Sequence, residues 1–241
     1  MRRTILASVS LLALSVGSQA ADLGVPRMPV AVMAQSYNWT GAYAGALAGV
    51  GIGFNHWTDV NGWYNTAGQS YNSSPVGIAL GLFAGYNWQV SPNFLVGVEA
   101  DITYNTASGR AFVATEPAYV TARSNFAGSL RARAGVVVDR ALFYVTGGLA
   151  LGNPSQRWVE ASGAAWKADG FRAGYVVGVG TEYMVSTQWT VRLEALYYDF
   201  GNRTATDVTP AGTTDFGNTT GYVMRARSSQ VQIRAGAAYR F

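Results

Sequence analysis

The chain has 241 residues, 29 of them Gly, with aromatics at 13% and charged residues at 12%, about half the charged share of a typical soluble domain. Its net charge is +4 without any basic run, and it has no cysteine. That argues against nucleic acid as a partner and excludes a disulfide framework, a thiolate metal site and a Cys nucleophile.

Residues 1–20 have a secretory layout, with Arg2 and Arg3 as the basic region, Ile5 to Val16 as the apolar core and Ser18-Gln19-Ala20 as a cleavage site. Cleavage is expected after Ala20. Its loss leaves 15 basic against 13 acidic residues, a net charge of +2. No later segment reaches the ~18 consecutive apolar residues of a transmembrane helix, so membrane insertion would have to use strands closed into a barrel.

Residues 21–36 carry Pro26 and Pro29 and little period, and read as a lead-in. The barrel region is then expected over 37–241. A Gly/Ala-rich strand at 39–53 is followed by a long polar loop at 54–75. A second strand, 76–88, puts Val76, Ile78, Leu80, Leu82, Tyr86 and Trp88 on one face and Gly77, Gly81 and Gly85 on the other. A short turn with Ser91-Pro92-Asn93 leads to a third strand, 94–105, with Phe94, Val98 and Ile102 opposed to Glu99, Asp101 and Asn105. A second long segment, 106–123, precedes a strand at 124–138, where Arg131 and Arg133 share the polar face.

Asp139-Arg140 makes a tight turn into a strand at 141–152 whose two faces are both mostly apolar, so its orientation stays open. A third long loop, 153–170, precedes a strand at 171–185 with Arg172 and Glu182 on the polar face. A short turn, 186–188, leads to a strand at 189–200 with Arg192 and Glu194 on that face. A fourth long loop, 201–222, leads to the closing strand, 223–241. There Ile233, Tyr239 and Phe241 alternate with Gln230, Gln232, Arg234 and Arg240.

The fold class that results is all-β, an eight-stranded antiparallel up-and-down transmembrane β-barrel. Long and short connections alternate strictly, as in outer-membrane barrels. Tyr86, Trp88, Phe94, Tyr183, Trp189, Tyr239 and Phe241 gather at the short turns, and Tyr104, Phe126, Phe171 and Tyr197 at the other end. These are two aromatic girdles around an aliphatic band.

Nine charges face inward: Glu99, Asp101, Arg131, Arg133, Arg172, Glu182, Arg192, Glu194 and Arg234. An eight-stranded barrel is only wide enough for side chains to fill it, so these charges are expected to plug the lumen as ion pairs. A selectivity filter in a narrow passive channel is the alternative.

Three stretches carry a family resemblance. They are the leader followed by Ala21-Asp22-Leu23, the opening Tyr37-Asn38-Trp39-Thr40-Gly41-Ala42-Tyr43, and the ending Arg234 to Phe241. Together they resemble the outer membrane immunogenic proteins of alphaproteobacteria, small porin-family barrels with an OmpA-like β-barrel domain. The resemblance implies an abundant surface protein, often antigenic and tied to envelope integrity. Some relatives are reported to bind haemin and some are described as porins. It implies no catalytic motif and no appended peptidoglycan-binding domain.

The expected partners are outer-membrane lipids, lipopolysaccharide and the barrel-assembly machinery, which would read Tyr239 and Phe241. A monomer is expected, with no cofactor. His56, the single histidine, shares the 54–75 loop with Asp59, Ser70, Ser73 and Ser74, so a triad can be drawn. With Tyr64 or Tyr71 it could instead ligate haem iron. A solvated loop histidine is the plainer reading, and the chain is read as a non-enzyme.

Overall fold

Alternating side chains become strand at every stretch where the sequence predicts one. The computed structural model describes residues 37–61, 68, 70–113, 118–161, 163, 165–207 and 223–241. The leader, the 21–36 lead-in, Tyr64 and most of the fourth loop lie outside the described residues. The elements are β1 Gly41–Asp59, β2 Ser70–Ser73, β3 Val76–Ser91, β4 Phe94–Val113, β5 Ala118–Val138, β6 Ala141–Glu160, β7 Ala165–Ala168, β8 Arg172–Met184, β9 Trp189–Thr204, β10 Thr206–Asp207 and β11 Met224–Arg240.

Eight of them close a ring of antiparallel neighbours in chain order: β1, β3, β4, β5, β6, β8, β9, β11 and back to β1. The short β2, β7 and β10 extend the wall at one end, on β1, β6 and β7. Closure pairs the backbone polar groups of every long strand on both sides, which is what a strand in hydrocarbon needs.

The outer wall is the face read as apolar. Ile78, Leu82, Ile102, Leu130, Val179 and Ile233 are all more than half exposed. β6, which the sequence could not orient, turns Phe143, Val145, Leu149 and Leu151 outward and Leu142, Tyr144 and Ala150 inward. One girdle holds Tyr86 against Trp88 and Tyr239 between Trp189 and Phe241. The other holds Tyr104 against Phe126 and Tyr175 against Tyr197. Phe94 and Tyr104 stand ten residues apart on β4. That is roughly 34 Å of strand, or about 26 Å across the membrane once tilted, which matches the apolar band of such barrels.

The strands do not stop at the second girdle, and this corrects the expected loops. β4 and β5 stay paired out to Val113 and Ala118, so most of 106–123 is strand. β6 runs to Glu160 and pairs β7, so 153–170 is largely strand as well, and β1 continues to Asp59.

The reason is an inversion of polarity. Register shifts fall between Tyr104 and Ala107, between Ser124 and Ala127, and between Arg227 and Ser229. Beyond them the inward side chains are apolar: Trp57, Val120, Trp158, Trp166, Met224 and Ala226 form one buried cluster. The outward ones are Ser108, Arg110, Arg123, Arg157 and Arg225. Bulges of this kind re-aim side chains and raise local twist. Past the lipid, the barrel is built like a soluble one.

The other end is stoppered by the residues that lead into β1. Trp39 is wholly buried among Leu95, Val137, Leu142, Tyr144 and Met184. Its backbone N–H donates to Gln89 Oε1 at 2.8 Å. Arg240 donates to the Asn38 carbonyl at 2.6 Å and lies over the Trp39 ring.

Leu82 sits mid-strand and 63% exposed on the lipid side. Leu82→Arg is expected to lower stability by about 2–4 kcal/mol, read as a lower urea midpoint for loss of the folded electrophoretic mobility in lipid vesicles.

Candidate functional site

The lumen between the Trp39 stopper and the outer apolar cluster is where the inward charges meet. Alternation fixes their direction, and register fixes their partners. Glu99 stands directly across from Arg131, Glu182 from Arg192, and Glu194 from Arg234. Opposite charges so placed have Cβ atoms roughly 5 Å apart.

Longer contacts then tie these pairs across the lumen. Arg192 Nη1 donates to Glu99 Oε2 at 2.6 Å and Nη2 to Glu182 Oε2 at 3.2 Å. Arg133 reaches Glu182 at 3.2 Å and Glu99 at 3.4 Å. Arg131 pairs with Glu99, with Asp101 at 3.2 Å and with Glu194 at 3.5 Å. Arg234 donates from Nε to Glu194 Oε2 at 2.9 Å and from Nη1 to Asp101 Oδ1 at 3.0 Å. No side chain in the set is more than 2% exposed.

Neutral groups add further contacts. The Tyr43 hydroxyl donates to Glu99 at 2.8 Å and that of Tyr144 to Glu194 at 2.6 Å. Thr190 donates to Glu182 at 2.6 Å, and Ser129 donates to Asp101. Arg133 Nε donates to Asn87 at 2.9 Å, and its guanidinium lies over the rings of Tyr43 and Tyr144. Arg192 stacks over Phe83 at 3.8 Å. With Tyr43 on β1, Asn87 and Phe83 on β3 and Tyr144 on β6, every strand of the ring supplies a side chain to this belt.

The sequence reading did not single out Tyr43, Asn87, Tyr144 or Thr190. A signal was present for two of them. The inward Tyr43 stands opposite Gly85 and the inward Tyr144 opposite Gly180. A Cβ on Gly85 would lie 2.2 Å from the Tyr43 hydroxyl, and one on Gly180 2.5 Å from that of Tyr144. The missing side chains are the space in which the rings lie.

One of the nine predicted charges does not join. Arg172 is buried inside the barrel, but nearer the outer end. It donates to the Ala168 carbonyl at 3.3 Å and to Ser228 Oγ at 3.5 Å, and forms no ion pair among the described residues. The belt therefore holds four carboxylates and four guanidiniums rather than four and five, and is neutral. Above it lies an amide layer of Asn105, Gln230 and Gln232, then Asn55, Gln156 and Ser228. A void of about 20 Å³ beside Asn55, Ser228 and Gln230 has room for about one water.

His56 is not in a loop. It lies on β1 opposite Asn72 and Arg227 and faces outward, exposed. Asp59 and Ser73 are buried on the inward face, and Tyr71 packs inward against Trp158. The sheet therefore separates His56 from Asp59 and Ser73 of the drawn triad and from the Tyr71 haem ligand, while Ser70 and Ser74 are exposed on its own side. Tyr64 lies outside the described residues. No cluster of three or more His, Cys, Asp or Glu with metal-holding geometry occurs among the described residues.

Comparison with known proteins places this geometry. The outer membrane protein beta-barrel domain family matches residues 6–241. The chain belongs to that family. It is 32% identical to the 31 kDa outer-membrane immunogenic protein of Brucella melitensis, over 86% of this chain and 91% of that one. It is 27% identical to the 25 kDa outer-membrane immunogenic protein of Brucella abortus, covering 100% and 99%. Among solved structures it resembles the outer membrane protein OprG of Pseudomonas aeruginosa. The TM-score is 0.55 at 12% identity, over 84% of this chain and 97% of that one. The protein is thus a bacterial outer-membrane β-barrel, and its short turns face the periplasm as in such barrels.

Glu194 accepts from Arg131, Arg234 and Tyr144. Glu194→Ala leaves those donors buried and is expected to cost about 3–5 kcal/mol, measured by urea unfolding of the micelle-refolded barrel through tryptophan fluorescence. A loss below about 1 kcal/mol, the range of exposed ion pairs, would show that the belt adds no stability.

Proposed function

We propose that this protein is a closed barrel that stabilises the outer membrane and displays its outer end, and is neither a conduit nor a catalyst. The observation that carries the reading is the neutral belt, packed across the lumen between the Trp39 stopper and the outer tryptophan cluster. A solute would have to part several ion pairs in a site with almost no water. Parting buried ion pairs without replacement partners is strongly unfavourable.

Catalysis gains no support from His56, which the sheet holds apart from Asp59 and Ser73. The names of the Brucella relatives, outer-membrane immunogenic proteins, favour exposure of this chain to antibodies. The segments that would carry it are those that run past the outer girdle on β1, β4, β5 and β6. In this reading the barrel works as a monomer among outer-membrane lipids and lipopolysaccharide. Tyr239 and Phe241 serve as the pair read by the barrel-assembly machinery, a role favoured by the 82% exposure of Phe241.

Single-channel recording tests the closed lumen. The folded barrel, verified by its mobility shift on boiling, is expected to stay silent in a planar bilayer. Arg131→Ala with Arg133→Ala removes two guanidiniums from the belt and is expected to open steady conductance. Steady openings of the unsubstituted barrel would overturn the reading.

A further inference from the structure

Arginines outside the barrel behave differently from those inside it. Above the outer girdle, the outward positions of β4, β5 and β6 come together as two cross-strand rows. Ser108, Arg123 and Ser155 form the lower row, and Arg110, Thr121 and Arg157 the upper. All three arginines are exposed. With neighbouring strands about 4.8 Å apart, Arg110 and Arg157 flank Thr121 at roughly 10 Å from each other. Arg123 sits two residues lower on the middle strand, between them. Three guanidiniums and the Thr121 and Ser108 hydroxyls thus share one small face.

Among the described residues no carboxylate pairs with these three arginines. Arg123 and Arg157 have no ion pair or side-chain hydrogen bond among the described residues. Among the described residues Arg110 is held by lying over the Tyr119 ring at 3.9 Å, which orients the cation without cancelling it. One nearby acid is already engaged: Asp169 pairs with Lys167, the cross-strand neighbour of Arg157, and accepts from Ser155 Oγ at 3.0 Å. The contrast with the rim at β11 is direct, because there Arg227 meets Asp199 at 2.6 Å.

Height and direction identify what the patch meets. Phe126 marks the outer girdle, and Arg123 stands three residues beyond it on the same strand. At strand rise and barrel tilt that is roughly 8 Å above the ring, the depth of lipid headgroups. The side chains face away from the lumen, so what lies against them is the outer leaflet. Arginine's planar fork suits phosphate oxygens bidentately, and hydroxyl donors between the forks add directed hydrogen bonds.

We propose that this face of β4, β5 and β6 is a binding site for the phosphate groups of a phosphorylated glycolipid of the outer leaflet, held by Arg110, Arg123 and Arg157. The inference rests on the outer-membrane localisation and not on the closed lumen, so a conducting barrel would leave it standing.

The test titrates the refolded chain in detergent micelles with bis-phosphorylated lipid A, and with the same lipid after enzymatic removal of its phosphates. The variant R110S/R123S/R157S is expected to bind lipid A at least about tenfold more weakly, the loss of one charge-assisted hydrogen bond or more. Dephosphorylated lipid A is expected to bind the unsubstituted barrel as weakly as that. Arg225→Ser, outward on β11, is expected to leave the affinity unchanged. Equal affinity of barrel and triple variant for lipid A would overturn the proposal and leave the arginines as a solvated rim. An equal loss in Arg225→Ser would overturn it as well, since any rim charge would then serve. So would a heparin oligosaccharide that binds the same arginines as tightly as lipid A, because the patch would then take soluble polyanions. If the triple variant fails its boiling-shift check for folding, the comparison of the two lipids on the unsubstituted barrel decides alone.

Discussion

The structure depends on a charge balance that exists only when the ring is closed. Four carboxylates and four guanidiniums lie in the waist of the barrel, each nearly devoid of solvent. Any one of them, buried alone, would carry a desolvation penalty of several kcal/mol. Their partners come from β4, β5, β8, β9 and β11, and the pair Arg234 and Asp101 is separated by 133 residues of chain. No single hairpin can satisfy the set. Closing the barrel and neutralising its interior are therefore one event, which ties the lipid-facing wall to the content of the lumen. Long-range pairing of this kind also makes folding depend on non-local contacts.

The second constraint is the change of solvent along the strand. Within the membrane the wall must be apolar outside, and the narrow lumen takes the polar groups. Above the girdle headgroups and then water replace the lipid chains, and the economical arrangement reverses. The three register shifts lie at that boundary. On β5 the outward residues change from Leu130 and Phe126 to Arg123 and Thr121, while the inward ones change from Arg131 and Ser129 to Ala122 and Val120. One strand thus serves a membrane barrel and a water-exposed barrel, with an extra residue at the joint to reset the phase.

This inversion also explains which parts of the fold were legible. Inside the lipid, period-two alternation located seven strands and the face of every one of them except β6, while β1 read only as a Gly/Ala-rich run without an assigned face. The closing strand, with Ile233 and Tyr239 out and Gln232 and Arg234 in, reads without ambiguity. β6 resisted because its inward positions Leu142, Tyr144 and Ala150 fill apolar layers above and below the belt, so both faces look alike. The stretches 106–123 and 153–170 read as loops because, past the bulges, polar residues take the outward positions that carried the apolar signal. In 106–123 a phase shift on β5 also breaks the period itself. Arg172 shows the limit of parity: it points inward as read, but height along the strand decides whether it meets the carboxylates. His56 failed for the related reason that composition suggested a loop where β1 continues.

Arginine serves two purposes in this chain, and neither parity nor height alone separates them. Inward at the waist, Arg131 and Arg192 are each bound by several carboxylates and shielded from water. Outward beyond the girdle, where the bilayer surface begins, Arg123 and Arg157 form no ion pair among the described residues. The same guanidinium that would be costly to leave unpaired in the lumen carries little penalty in a headgroup layer, where anionic partners come from the lipid. The nearly balanced net charge of the chain therefore hides a strong separation: a neutral interior and a cationic collar on β4, β5 and β6. A protein anchored by such a collar does not need an open lumen to act on the membrane around it, because its contacts with the leaflet lie on the outside of its wall.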